Sequence, residues 1–147
     1  MSLTKHCVLT TILLSFASLV KAEDNRPAEI EILQLGVKLS VVAEHPDIAT
    51  PTGLDVDEKG RVWVVSCHTH LPPKDYQGPK QDEILIFDPD GTRHVFYATT
   101  EQTMDLELGP DGWVYLSERD RILRVRDSDG DGKGDVEETL VDLVSEA

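Results

Sequence analysis

The sequence predicts an all-β chain, and three observations carry that reading. Two segments superimpose without a gap at a spacing of 52 residues, apolar residues mostly alternate at period two from Glu29 to Val42, and Gly-bearing turn signals separate the apolar runs. The 147 residues carry 14 Lys+Arg against 28 Asp+Glu, a formal net charge of -14. That balance leaves no basic surface to meet a phosphate backbone, so nucleic acid is excluded as a partner. With 39% hydrophobic residues the chain is too apolar to be a disordered acidic tail, and it contains no apolar run long enough to span a bilayer.

The first element is set apart from the fold. Lys5 and His6 precede an apolar stretch from Val8 to Val20 that ends in Val20-Lys21-Ala22. This is the pattern of a secretory signal over residues 1–22, too short to cross a membrane and closed by a small residue at the cleavage site. The mature chain, 23–147, is therefore expected to be exported to the periplasm or the extracellular space. Cleavage removes Lys5 and Lys21 but no acid, which leaves 12 basic against 28 acidic residues. It also removes Cys7, so Cys67 stands alone and no intramolecular disulfide can form.

From Glu29 to Val42, apolar residues at Ile30, Ile32, Val37, Leu39 and Val41 alternate with polar ones, which predicts a lead-in pair of strands. The repeat follows. Thr52 to Ser66 (TGLDVDEKGRVWVVS) aligns with Met104 to Glu118 (MDLELGPDGWVYLSE), placing Leu54 on Leu106, Gly60 on Gly112 and Trp63 on Tyr115. Each copy reads as strand, turn with Gly where φ is positive, and strand, which is a hairpin. A third strand recurs in EILIFDPDG, from Glu83, and ILRVRDSDG, from Ile122; both runs end in Asp-x-Asp-Gly. The fourth strands are expected at Arg93 to Ala98 and from Glu138 to Val144.

Four antiparallel strands per unit at a period near 50 predict β-propeller blades, with units at about 41–100 and 101–147. The alternative is an all-β sandwich with two similar hairpins. Propellers close with four to eight blades, and about two and a bit are present here. The pattern stops within a unit at Ser145-Glu146-Ala147, so a fragment of a longer parent protein is expected, which would supply the remaining blades.

The most specific motif is DSDGDGKGDVEE, Asp127 to Glu138. It fits D-x-D-x-D-G-x5-E, with Asp127, Asp129 and Asp131 at alternate places, Gly132 at the bend, the Lys133 carbonyl, Asp135, and Glu138 at the twelfth place. Calcium is a hard cation that takes six to eight oxygens, and alternate carboxylates in a tight loop converge on one point. The eighth place is Gly134 instead of an apolar anchor, and the flanks read as strands, so this is a calcium loop outside an EF-hand.

A second candidate is Cys67-His68-Thr69-His70, which follows the strand from Arg61 and leads into LPPKDYQGPK with Asp75 and Tyr76. In an extended chain His68 and His70 point to one side, a spacing that suits a shared metal or substrate. Two solvated loop histidines would look the same. His-x-His also opens metal-dependent hydrolases, but those require helical crossovers, and the residues after His70 are Pro, Gly and another strand. Cys67 reads as a buried strand-end thiol, and the absence of a second Cys three residues before it rules out haem attachment.

The stretches HPDIATPTGLDVDEKGRVWVVSCHTHLPPKDYQGPKQDEILIFDPDG and LGPDGWVYLSERDRILRVRDSDGDGKGD resemble the N-terminal domain of the membrane-bound dehydrogenases of the Pirellula and Verrucomicrobium type. The resemblance covers roughly residues 40–143. That family is similar to the soluble quinoprotein sugar dehydrogenases, six-bladed propellers that hold pyrroloquinoline quinone (PQQ) on the central channel and use calcium. The resemblance thus implies an oxidoreductase in which a base takes a proton as hydride passes from a sugar or alcohol to the quinone. It assigns no residue to the quinone; His68 and His70 are candidates for the catalytic base by loop position alone.

The leading expectation is an exported propeller fragment of quinone-dependent dehydrogenase type, with a calcium loop and no turnover by itself. A non-catalytic calcium-stabilised propeller that binds a glycan or protein, and a His-x-His metal hydrolase, are the alternatives. Expressed with its leader in an exporting bacterium, the chain should be recovered outside the cytoplasm with Glu23 as its first residue by intact-mass spectrometry. Recovery only in the cytoplasm with the leader attached would overturn the export reading.

Overall fold

The computed structural model describes residues 30–143. The secretory signal expected at residues 1–22 lies outside them, as do Glu29 and the residues after Leu143. The chain divides into two units, Met1–Leu39 and Ser40–Ala147. In the described part of the first, residues 34–36 form a turn with Gly36 at φ 84°.

Among the described residues the second unit holds eight strands: β1 Thr50–Val56, β2 Val62–Cys67, β3 Asp82–Phe87, β4 Arg93–Thr100, β5 Asp105–Leu108, β6 Val114–Ser117, β7 Arg121–Arg126 and β8 Val136–Asp142. They form two antiparallel four-stranded meanders in the orders β1-β2-β3-β4 and β5-β6-β7-β8. The chain is thus all-β over its described residues. No described helix is long and apolar enough to cross a membrane.

The lead-in strand pair expected up to Val42 does not form: residues 30–42 contain no strand, and the first begins at Thr50. Alternation produces a strand only where a ladder partner stabilises it, and an isolated pair is marginal in water. The two hairpins form as expected, with Gly60 at φ 75° and Gly112 at φ 80° in their turns.

The third strands show a register that the turn motif conceals. Val64 faces Leu85 and Leu116 faces Leu123, so the second strands lie 52 residues apart but the third strands only 38. The Asp-x-Asp-Gly turns lie 39 apart. A slip of one residue exchanges the two faces of a strand, so the ladder and not the turn decides which side chains enter the core.

The core between the sheets joins Trp63, Val65, Cys67, Ile84, Ile86 and Phe96 to Leu106, Val114, Leu116, Leu123 and Val125. Trp63 meets Phe96 edge to face at 4.8 Å. On the far face of the first sheet, Val64, Leu85 and Phe87 are buried with help from Ala43 and Ile48. Leu54 and Val56 on that face remain 64% and 53% exposed. The β1–β2 turn is fastened by Asp57, which accepts from Arg61 Nε at 2.6 Å and Trp63 Nε1 at 3.1 Å. Burial alone would raise the Asp57 pKa, but these bonds and those from the Arg61 and Lys59 amides bring it to about 2.

The innermost strands of the two sheets approach closely. Thr52 Oγ1 donates to the Thr103 carbonyl at 2.7 Å, and the Leu108 amide to Asp55 at 3.0 Å. Gly53 lies between, and a Cβ there would come within 2.6 Å of the Asp105 Cα and 2.9 Å of the Leu106 nitrogen. The Asp105 carboxylate, nearer still, could turn aside, but these two backbone atoms cannot, so Gly53→Ala should cost about 1–3 kcal/mol by forcing β1 and β5 apart. Thermal unfolding should show the lower midpoint, and an unchanged midpoint would mean that the close approach is absent in solution.

Candidate functional site

Two places gather functional side chains. The first is the β7–β8 turn. Asp127 accepts from the amides of Gly130 at 2.6 Å and Gly132 at 2.8 Å, Asp129 from that of Asp131, and Asp131 from that of Lys133. These bonds wind the turn so that carboxylate oxygens of Asp127, Asp129 and Asp131 lie within 4.8 Å of one another. The Gly132 and Gly130 amides hold the Asp127 carboxyl below its ordinary range.

The other expected ligands have partners of their own. Asp135 accepts from the Ser128 hydroxyl at 2.6 Å, and Glu138 is bound by Arg124 at 2.6 and 2.9 Å across the β7–β8 ladder. Gly134 has a packing reason to be glycine. Its amide donates to the Phe96 carbonyl at 2.8 Å. A Cβ there would meet the Val125 side chain and approach the Phe96 and Tyr97 rings to 3.2 Å. The place where an EF-hand sets an apolar anchor is here filled by the rings of the neighbouring sheet.

The second place is the β2–β3 loop. The extended path expected through His68 and His70 is corrected: β2 ends at Cys67 and residues 69–71 bend. The cause is Asp82, fully buried at the start of β3. Its carboxylate accepts from the His68 amide at 2.7 Å, the Thr69 amide and hydroxyl at 2.9 Å each, and the Thr103 amide at 2.8 Å. Burial by itself would raise the Asp82 pKa, but these donors outweigh it and lower it. Burial likewise pushes the Cys67 thiol up, with the Asp82 charge adding to it, which makes Cys67 an inert core residue.

The loop separates the two histidines. His68 is turned inward, with Nδ1 hydrogen-bonded to the Tyr76 hydroxyl, while Nε2 lies 3.1 Å from Ser66 Oγ and 3.4 Å from Glu83. Arg93 stands 3.6 Å behind Glu83. His70 is exposed. Among the described residues no convergent group of three His, Cys, Asp or Glu includes either histidine.

Two clefts share the wall formed by His68, Pro73, Tyr76 and Pro79. One, of about 570 Å³, is lined further by His45, Pro46, Ile48 and Ala49. The other, of about 440 Å³, carries Thr69, Lys74, Lys80, Glu101 and Gln102. In an antiparallel meander alternate connections lie at opposite ends of the sheet, so the His68 loop and the acidic turn occupy opposite ends of the molecule's strands. The sequence reading named His68 and Tyr76 but missed Asp82, Glu83 and Ser66, which look like ordinary strand residues.

Residues 28–146 match the family described as a domain of unknown function, DUF7133, and the chain belongs to it. No curated protein and no solved structure matches the chain.

Asp82→Ala should leave the His68, Thr69 and Thr103 amides without their acceptor, at a cost of about 3 kcal/mol or more. The Asp82 pKa is lower folded than unfolded, so its contribution is complete above its ordinary value of 3.8 and is lost as pH falls through the lower folded value. Urea unfolding at neutral and acid pH should therefore show Asp82→Asn losing stability at neutral pH and depending less steeply on acid than the native chain. Equal acid dependence of the two would remove Asp82 from this role.

Proposed function

We propose that this member of the DUF7133 family contributes neighbouring blades to an exported β-propeller of the quinone-dependent sugar or alcohol dehydrogenase type. One observation carries the reading. The second sheet meets the first through Leu106, Val114, Leu116, Leu123 and Val125, and the first sheet has Leu54, Val62, Val64, Leu85 and Phe87 at the same repeat positions on its far face. In a sandwich the two sheets turn like faces inward and polar faces outward. Here the first sheet offers to a further neighbour the face by which its successor docks, which is the logic of a repeat that propagates. The remaining blades would come from a longer parent protein.

Calcium suits the β7–β8 turn. Asp127, Asp129, Asp131 and the Lys133 carbonyl would hold it, with Asp135 reached by release of Ser128 and Glu138 by release of Arg124. The ion would neutralise the clustered carboxylates and stiffen the turn, away from the His68 end. PQQ finds no such fit on this chain. It is anionic, and the cations that line the polar cleft, Lys74 and Lys80, share it with Glu101. Any quinone site would belong to the assembled propeller, and no turnover is expected of this chain alone.

His68, with Glu83 behind its ring, is the better placed of the two candidate bases. That both its ring nitrogens already have partners favours a second reading, a propeller that binds a glycan or protein without chemistry.

Millimolar calcium should raise the thermal midpoint of the chain, chelator should reverse the rise, and Asp129→Asn with Asp131→Asn should abolish it. A midpoint indifferent to calcium would remove the ion from the turn. For the chain joined to its remaining blades, dye reduction with PQQ, calcium and a panel of sugars and alcohols, falling at least about tenfold in His68→Ala, would support the dehydrogenase. Binding of a panel member without reduction would leave the binding propeller.

A further inference from the structure

In a chain with 29% charged residues, the larger cleft has no Asp, Glu, Lys or Arg in its wall. One side is Pro46, Ile48 and Ala49, ahead of β1; the other is Pro73, Tyr76 and Pro79, from the β2–β3 loop. The two sides are tied together. The Ala49 amide donates to Ser66 Oγ at 3.0 Å, and Ser66 Oγ is 3.1 Å from His68 Nε2. Proline rings and a tyrosine ring present flat apolar surface with little conformational freedom to lose on binding. The volume, about 570 Å³, is that of a small-molecule site.

The polar end of the cleft has a defined sense. Glu83 stands 3.4 Å from His68 Nε2, and the tautomer that suits this carboxylate carries the imidazole hydrogen on that nitrogen. His68 Nδ1 is then bare and accepts the Tyr76 hydroxyl hydrogen. With its hydrogen committed to His68, the Tyr76 oxygen can only accept from a ligand. A charged ligand would lose its hydration without meeting an opposite charge in the wall.

We infer that this cleft binds a small uncharged aromatic compound bearing a hydroxyl group. The ring lies against the prolines, Ile48 and the Tyr76 face, and the ligand hydroxyl donates to the Tyr76 oxygen. Neither calcium nor a quinone takes part, so the site does not depend on the dehydrogenase reading.

The test compares β-naphthol with its methyl ether, the same ring system without a donor, by saturation-transfer NMR and equilibrium dialysis on the full chain. Saturable binding near one per chain is expected, tighter for β-naphthol by about tenfold, the worth of one hydrogen bond. Tyr76→Phe should erase that preference while still binding both compounds, and Ile48→Asp should weaken both alike. Equal affinity of the native chain for the two probes, uptake that does not saturate, or a preference that survives Tyr76→Phe would each overturn the inference. The two-probe comparison on the native chain decides the matter even if a variant fails to fold.

Discussion

A buried carboxylate organises the junction on which both sheets and the cleft depend. Asp82 opens β3, yet it gathers donors from the end of β2, through the His68 and Thr69 amides, and from the link between the sheets, through Thr103. An ionised carboxylate only accepts, and it offers about four acceptor directions. That suits a corner where several backbone amides leave their ladders together and would otherwise be buried without partners. Thr69 extends the arrangement, since its hydroxyl donates to Asp82 and accepts from the Gln102 amide at 2.6 Å. The path of the β2–β3 loop, and so the inward turn of His68, follows from where these amides are anchored.

The second sheet closes its corner and its far face differently. At its corner Arg121 binds the buried Glu118, which also accepts from the Glu101 amide at 3.3 Å, and Arg121 reaches Glu137 at 2.7 Å. On its far face Trp113 lies under the guanidinium groups of Arg124 and Arg126, at 4.2 and 4.6 Å from the ring centre. The Arg side chains cover the indole with their own stems and charges, an arrangement stable against water. The first sheet leaves Leu54 and Val56 bare on its far face instead. The two open faces of the pair are therefore unlike in chemistry, one apolar and one guarded by charge.

Most of the strand order was legible because alternation and turn chemistry act locally. Gly60 and Gly112 announce their hairpins through backbone conformations that other residues resist. The lead-in segment forms no strand over residues 30–42, because alternation records a preference for a ladder without naming the partner strand. The register of the third strands was hidden by the Asp-x-Asp-Gly turns. DEILIF and DRILRV align from Asp82 and Asp120 at the ladder spacing, but β7 runs one residue further before its turn. At the candidate sites, the convergence of Asp127, Asp129 and Asp131 is visible in their spacing. The Asp82 hub is not, because its donors come from residues up to 21 positions away.

The separation of the two sites constrains any account of the whole. The acidic turn is coupled to the sheet contact, since the Gly134 amide bonds to Phe96 and the Tyr97 hydroxyl donates to Glu137. Order in that turn is thereby transmitted to the outer strands β4 and β8, where the two sheets have few other ties. The His68 end is fixed independently by Asp82, whose partners all lie on the other side of the core. A cation at the turn can stiffen the outer seam between sheets but cannot polarise a ligand beside Tyr76, because the strands stand between them. Chemistry at the His68 end must accordingly draw on Glu83, His68 and Tyr76 themselves, or on residues that another part of an assembly brings to that end.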